Sequence, residues 1–268
     1  MQNPVPLINL DTNTVDENEI RHFNKLNWFW WGPSSPLKAM NNARLPFIQN
    51  NYWASSKNES IPFNEKRILD VGCGGVVAYK YVVIFYLYVL GGVLTEELAK
   101  IGGTVHGIDP CSEALATAKQ HAILNPDLTN LTYYLTTIEE HVQHNFEKYD
   151  IVVASEVIEH VTEKVEFLKN CIKCLKPGGS IIITTFNKTI SSWLFSIIIL
   201  QEILNYIPRG THTWNKFISP EDLSVMLNSL NCTTLGVKGM NCNIITKTWS
   251  ISSNINNSYC LEAVKNFK

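Results

Sequence analysis

Short runs of apolar, mostly branched residues recur along the chain, and segments of mixed polarity separate them. Runs that stay apolar at consecutive positions suit strands buried on both faces, and the stretches between them suit crossover helices. This predicts strands near Arg67 to Val71, Thr104 to Ile108, Leu131 to Leu135, Tyr149 to Ala154 and Ser180 to Thr185. Strands and helices that alternate in this way specify an α/β fold, a doubly wound and mostly parallel sheet with helices on both faces. Val15 to about Gln49 is expected to be helical, with the cluster Trp28-Phe-Trp-Trp31 packing inward. Cys174-Leu-Lys-Pro-Gly-Gly179 marks a helix end and turn before the last parallel strand. No internal repeat is present.

Three groups of residues carry candidate chemistry. Ile68, Leu69 and Val71 run into Gly72-Cys73-Gly74-Gly75, a turn whose missing side chains let the backbone approach a ligand. The strand ending at Asp109 presents a carboxylate placed to accept the hydroxyls of a ribose. In a simple nucleotide-binding crossover that acid lies roughly 20 residues beyond the glycines. Here 37 positions separate residues 72 and 109. The surplus matches one apolar block, Val76 to Gly91, with Lys80 as its charged residue. Without it the glycines would run directly into Gly92-Val-Leu-Thr-Glu-Glu-Leu-Ala-Lys, a good helix start with acids in its first turn. The insert is therefore expected to displace that helix and its N-terminal amides. Its first residue and its last two also suit the ends of an in-frame retained intron.

The third group is Glu156, Glu159 and His160, directly after the strand Tyr149 to Ala154. Positions i, i+3 and i+4 share one face of an α-helix, so two carboxylates and an imidazole would converge on a hard cation. The competing reading is an exposed helix start favoured by the macrodipole. Cys171 and Cys174 lack the second pair that a zinc site requires and are read as small buried residues.

These motifs, together with Val15-Asp-Glu-Asn-Glu-Ile, Asn42-Ala-Arg44-Leu, Pro208-Arg-Gly-Thr-His212, Lys216-Phe-Ile and Asn257-Ser-Tyr259, resemble the ubiquinone biosynthesis O-methyltransferases. That family belongs to the class I S-adenosylmethionine-dependent methyltransferases, and the resemblance runs from about Val15 to Lys265. It implies a Rossmann-like, mostly parallel seven-stranded sheet with an antiparallel edge strand, N-terminal helices, and a final hairpin from Thr233 to Ser250. It further implies that Arg44, Gly72, Asp109 and Ser155 hold S-adenosylmethionine, and that Glu156, Glu159 and His160 bind Mg2+. If the metal is absent, His160 is instead the candidate general base. The implied substrates are polyprenylated catechols, the polyprenyl-dihydroxybenzoate and demethylubiquinol of quinone synthesis. The implied setting is the matrix side of the mitochondrial inner membrane, within a multi-enzyme quinone biosynthesis complex. Cys242-Asn243-Ile244 departs from the family's Tyr-Asn-Pro at the substrate side.

Composition narrows the alternatives. With 268 residues, 45% of them hydrophobic, the chain is long enough for one substantial core. The expected organisation is a flexible stretch 1–14 and a single domain 15–268, which carries the insert and a hydrophobic flap at 189–212. Ile190 to Ile207 is interrupted by serines, Gln201 and Glu202, which suits peripheral contact with a bilayer and not a span. A net charge of −2 supplies no basic field for nucleic acid. Seven cysteines without a compact spacing suit a reducing compartment, and no Arg-rich transit peptide is visible in residues 1–20. A nicotinamide-linked dehydrogenase lacks its third glycine here and has no use for Glu156, Glu159 and His160. A folded isoform, disabled by the insert and acting as a scaffold, is the remaining alternative.

Overall fold

The computed structural model describes residues 14–16, 36–55, 63–74, 91–194, 214–243 and 245–267. Gly75, the insert as far as residue 90, the tryptophan cluster, most of the flap and His212 lie outside the described residues. In chain order the elements are α1 (Pro36–Ser55), β1 (Arg67–Val71), α2 (Val93–Lys100), β2 (Thr104–Asp109), α3 (Ser112–Ile123), β3 (Leu131–Leu135), α4 (Ile138–His141) and β4 (Tyr149–Ser155). After a 3-10 turn at Ile158–His160 come α5 (Lys164–Cys174), β5 (Leu175–Phe186), α6 (Ile190–Ser192), α7 (Pro220–Ser229), β6 (Cys232–Asn243), β7 (Thr248–Ser252) and β8 (Ser258–Lys265).

The strands form one sheet in the order β3-β2-β1-β4-β5-β8-β6-β7. β1 to β5 are parallel, and β8 runs antiparallel to both β5 and β6. Side chains alternate across the pleat, so the consecutive apolar residues of each central strand supply two cores. Ile68, Ile151, Val153 and Ile182 pack with Phe47 and Ile48 of α1 and Leu98 of α2 on one face. Leu69, Val152, Ala154, Ile181 and Ile183 pack with Phe167 and Leu168 of α5 and Leu223 of α7 on the other. Cys171 and Cys174 are buried free thiols, as expected.

Two differences from expectation stand out. Among the described residues eight strands are present where seven were expected, because two strands at the end of the chain, β7 and β8, run against the parallel set. The expected hairpin is β6–β7, whose turn is fixed by Asn243 Oδ1 accepting from the Ile245 and Thr246 amides at 3.0 and 3.1 Å. β7 is its reversed edge strand, while β8 is a second reversed strand inside the sheet. Helix α2, moreover, is in place after the insert. The Gly92 amide donates to the Cys73 carbonyl at 2.8 Å, Thr95 Oγ1 to Asp70 Oδ2 at 2.7 Å, and Asn41 Nδ2 to the Val93 carbonyl at 3.0 Å. The chain thus re-enters the fold beside the point where it left, and three hydrogen bonds hold the helix start to β1 and α1.

Away from the strand ends, the Tyr149 hydroxyl lies 2.7 Å from both His106 Nδ1 and His141 Nε2. One hydroxyl can accept from one imidazole and donate to the other, so the ring that accepts in this buried bridge must be neutral. Burial, reinforced by His106 and Lys148, pushes His141 down to about 4. The native state therefore binds fewer protons than the unfolded chain, whose histidines titrate near 6.5. The stabilisation is complete above about pH 6.5 and is lost as pH falls toward 4. Urea denaturation should show wild type losing of order 2 kcal/mol relative to His141→Gln across that window. Parallel pH profiles for the two proteins would contradict the bridge.

Candidate active site

The candidate residues gather at the carboxyl ends of β1, β2, β4 and β5, where open α/β sheets hold ligands. Gly72 has φ of +72°, and a Cβ there would lie 2.5 Å from Val157 Cγ2, so only glycine lets this turn close against the segment after β4. Its amide and that of Cys73 both donate to the Ile108 carbonyl, at 2.9 and 3.1 Å. Asp109 grips the same turn: Oδ2 accepts from the Gly74 amide at 2.8 Å and Oδ1 from the Cys111 amide at 2.7 Å. Burial pushes its carboxyl up to about 6, and those two amide bonds oppose the shift.

Arg44 of α1 is only 3% exposed. Its Nη2 donates to Asn41 Oδ1 and its Nη1 to Ser155 Oγ, both at 2.6 Å. Ser155 Oγ is 2.6 Å from Thr184 Oγ1, which donates to Glu156 Oε1 at 2.7 Å. Each hydroxyl supplies one proton, so the chain has one consistent direction: Arg44 to Ser155, Ser155 to Thr184, Thr184 to Glu156. The guanidinium interacts favourably with Glu156 and Asp70, partly offsetting the cost of burying it. Asp70 itself is pushed up to about 6 by burial, against Thr95 and Arg44.

Glu156 is a non-glycine residue at φ +56°, a conformation that costs free energy and that clusters at functional sites. Its carboxyl is pushed up to about 8, first by burial and then by Glu159. Glu159 is 1% exposed; Oε2 accepts from Thr185 Oγ1 at 2.9 Å, and Oε1 is buried without a hydrogen-bond partner among the described residues. Two buried carboxyls forced together, sharing a proton that Glu156 retains, are an oxygen donor set that fits a divalent cation in place of that proton.

The three-fold convergence with His160 does not form. The segment after β4 is a 3-10 turn of three residues, and Glu156 precedes it in a left-handed conformation. The i, i+3, i+4 face of an α-helix therefore does not exist here. Among the described residues no three His, Cys, Asp or Glu gather as a group able to hold a metal ion. His160 is half-buried and lies next to the pair in sequence. Sequence reasoning missed Thr184, Thr185 and Asn41, which hold Glu156, Glu159 and Arg44 in place. The polar pair Thr184-Thr185 closing the apolar run Ile181-Ile-Ile183 was the available signal.

The chain is similar to known proteins over most of its length. Residues 49–236 match the family model described as a methyltransferase domain. The mitochondrial ubiquinone biosynthesis O-methyltransferase of Rattus norvegicus is 38% identical over 260 residues, 95% of this chain and 71% of that one. The ubiquinone biosynthesis O-methyltransferase of Vibrio vulnificus strain YJ016 is 34% identical over 257 residues, 95% of this chain and 98% of that one. Among solved structures, a SAM-dependent methyltransferase from Aquifex aeolicus superposes with a TM-score of 0.54 at 14% identity, covering 93% of this chain and 98% of that one. That likeness shows the class I fold.

A Cβ on Gly74 would lie 2.7 Å from Ala114 Cβ and 2.9 Å from the Asp109 carboxylate. Gly74→Ala is therefore expected to cost about 1–3 kcal/mol in urea denaturation. An unchanged midpoint would mean that the turn and Asp109 are not locked together.

Proposed function

Because this chain belongs to the ubiquinone biosynthesis O-methyltransferase family of S-adenosylmethionine-dependent enzymes, we propose that it methylates a catechol hydroxyl of polyprenylated quinone precursors with help from Mg2+. The observation that carries the metal is the close pair of buried carboxyls Glu156 and Glu159 between β4 and α5. S-adenosylmethionine would bring the electrophilic methyl group and Mg2+ the Lewis acidity that stabilises an ionised catechol oxygen.

The chain's own residues do the rest. Asp109 would accept the ribose hydroxyls on lone pairs not used by the Gly74 and Cys111 amides. Gly72 keeps the turn close to the neighbouring loop and leaves its backbone accessible to the nucleoside. Arg44 would attract the carboxylate of the methionyl group, with Ser155 and Asn41 fixing the guanidinium. Glu156 and Glu159 would hold the metal. His160 would take the proton from the catechol hydroxyl as general base, since half-exposure leaves its ring accessible. Rate enhancement in such a displacement comes mainly from holding oxygen, methyl and sulfur in line.

The named relatives include mitochondrial enzymes, and we place this chain on the matrix side of the inner membrane, in peripheral contact and within a quinone biosynthesis complex. Among the described residues no helix is long and apolar enough to cross a membrane. At the start of the flap, Ile190 is 79% and Trp193 42% exposed, which supports a surface that meets the polyprenyl tail.

Glu156→Gln combined with Glu159→Gln is expected to remove the Mg2+ stimulation of methyl transfer, lowering metal-stimulated kcat/KM by about a hundredfold or more. Full metal-stimulated activity in that double variant would exclude the pair as the metal site.

A further inference from the structure

The motifs that begin at Val15 and Lys216 take no part in the chemistry derived above, and neither does the buried acid Glu139. All three meet around the turn that carries Glu159 and His160. That 3-10 turn, Ile158–His160, is too short to fix its own position, so its place in the site depends on how its ends are tied. At the front the Glu156 amide donates to the Thr184 carbonyl of the sheet at 2.9 Å, and from α5 Lys164 Nζ donates to the Ile158 carbonyl at 2.6 Å. At the rear the chain is extended, with Val161 at φ −92° and ψ 147°, and it pairs with the N-terminal segment through an antiparallel bridge from Val15 to Val161. Beside that bridge the Thr162 amide and Thr162 Oγ1 both donate to the Thr14 carbonyl at 3.0 Å. Residues 14–16 thus form a strap across the segment directly after His160.

The strap is anchored on both sides. Asp16 Oδ2 lies 3.4 Å from Lys216 Nζ in the 3-10 turn Trp214–Lys216, a partly exposed ion pair of modest worth. The other anchor is buried: Thr14 Oγ1 donates to Glu139 Oε1 of α4 at 2.7 Å. Glu139 is 8% exposed, and its Oε2 has no hydrogen-bond partner among the described residues. A carboxyl buried on one hydroxyl lowers the stability of the fold relative to an apolar residue of similar size. What it supplies in return is the hold on Thr14. We propose that Glu139 is a positioning residue for methyl transfer: through Thr14 it fixes the strap, and the strap sets the place of Glu159 and His160. This rests on the catechol methyltransferase reading and adds to it a residue that acts on the reacting groups only through others.

The test compares Glu139→Leu, Thr14→Val and their combination with Glu139→Gln, all in the full chain. Glutamine keeps an acceptor for Thr14, and its amide nitrogen in place of Oε2 displaces no hydrogen bond seen here. The hold on the turn is read without catalysis, as the hydrogen exchange rate of the Thr162 amide by NMR. Leucine at Glu139 is expected to speed that exchange about tenfold and to lower kcat on a farnesylated dihydroxybenzoate about tenfold, with KM for S-adenosylmethionine unchanged. Thr14→Val, which leaves α4 untouched, should do the same, and the combined variant should match either single one because both cut the same link. Glu139→Gln should keep the wild-type values. Unchanged Thr162 exchange or unchanged kcat in the leucine and valine variants overturns the proposal. So does a loss in Glu139→Gln as large as in Glu139→Leu, or a cofactor KM that rises in step with the fall in kcat. Absence of methyl transfer in wild type, with Thr162 exchange still governed by Glu139, would overturn the catechol methyltransferase reading and leave the strap's hold on the turn supported.

Discussion

The hydrogen bond from the Gly92 amide to the Cys73 carbonyl is the constraint on which the rest of the site depends. It joins the two sides of the insert, so β1, its glycine turn and α2 remain one crossover unit despite the residues placed between them. Asp109 reinforces the closure from β2 by holding Gly74, and Asp70 does so from β1 by accepting from Thr95 in the first turn of α2. Were Val76 to Gly91 absent, Cys73, Gly74, Gly75 and Gly92 would be consecutive. The same bond would then be the i to i+3 hydrogen bond of an ordinary β-turn, for which glycines are well suited. The native fold thus keeps the closing hydrogen bond of the uninterrupted crossover.

Around that turn the site is built from buried charges that offset one another. Arg44 interacts with both Asp70 and Glu156, and its charge opposes the rise that burial imposes on both carboxyls. Glu156 stays high because Glu159 adds to the effect of burial, and Thr184 and Thr185 hold each carboxyl by one hydroxyl. Desolvated like charges with shifted proton affinities are typical of sites that await a ligand and uncommon in groups whose role is purely structural.

Much of this was legible in the sequence for a physical reason. A strand buried on both faces is apolar at most positions, so β4 and the core of β5 announce themselves, and the expected limits of β1 and of the more exposed edge strand β3 are reproduced. Gly72 and Asp109 were legible because a tight turn and a strand-end acid have few substitutes. Spacing along one helix could not report that Glu156 takes a left-handed conformation and breaks the expected face, which leaves His160 outside the pair. Nor could it report Asn41, Thr184 and Thr185, whose importance comes from neighbours in space. The eighth strand and the undisplaced α2 depend on pairing partners far along the chain, at β5 and at Cys73.

The central claim is that the cofactor site is whole in this chain because the fold closes at Cys73 and Gly92. Calorimetric titration of S-adenosylmethionine with Mg2+ tests it most directly, in the full chain and in a version lacking Val76 to Gly91. Saturable binding to both with affinities within about tenfold of each other is the expected result. Binding by the shortened protein and none by the full chain would contradict it.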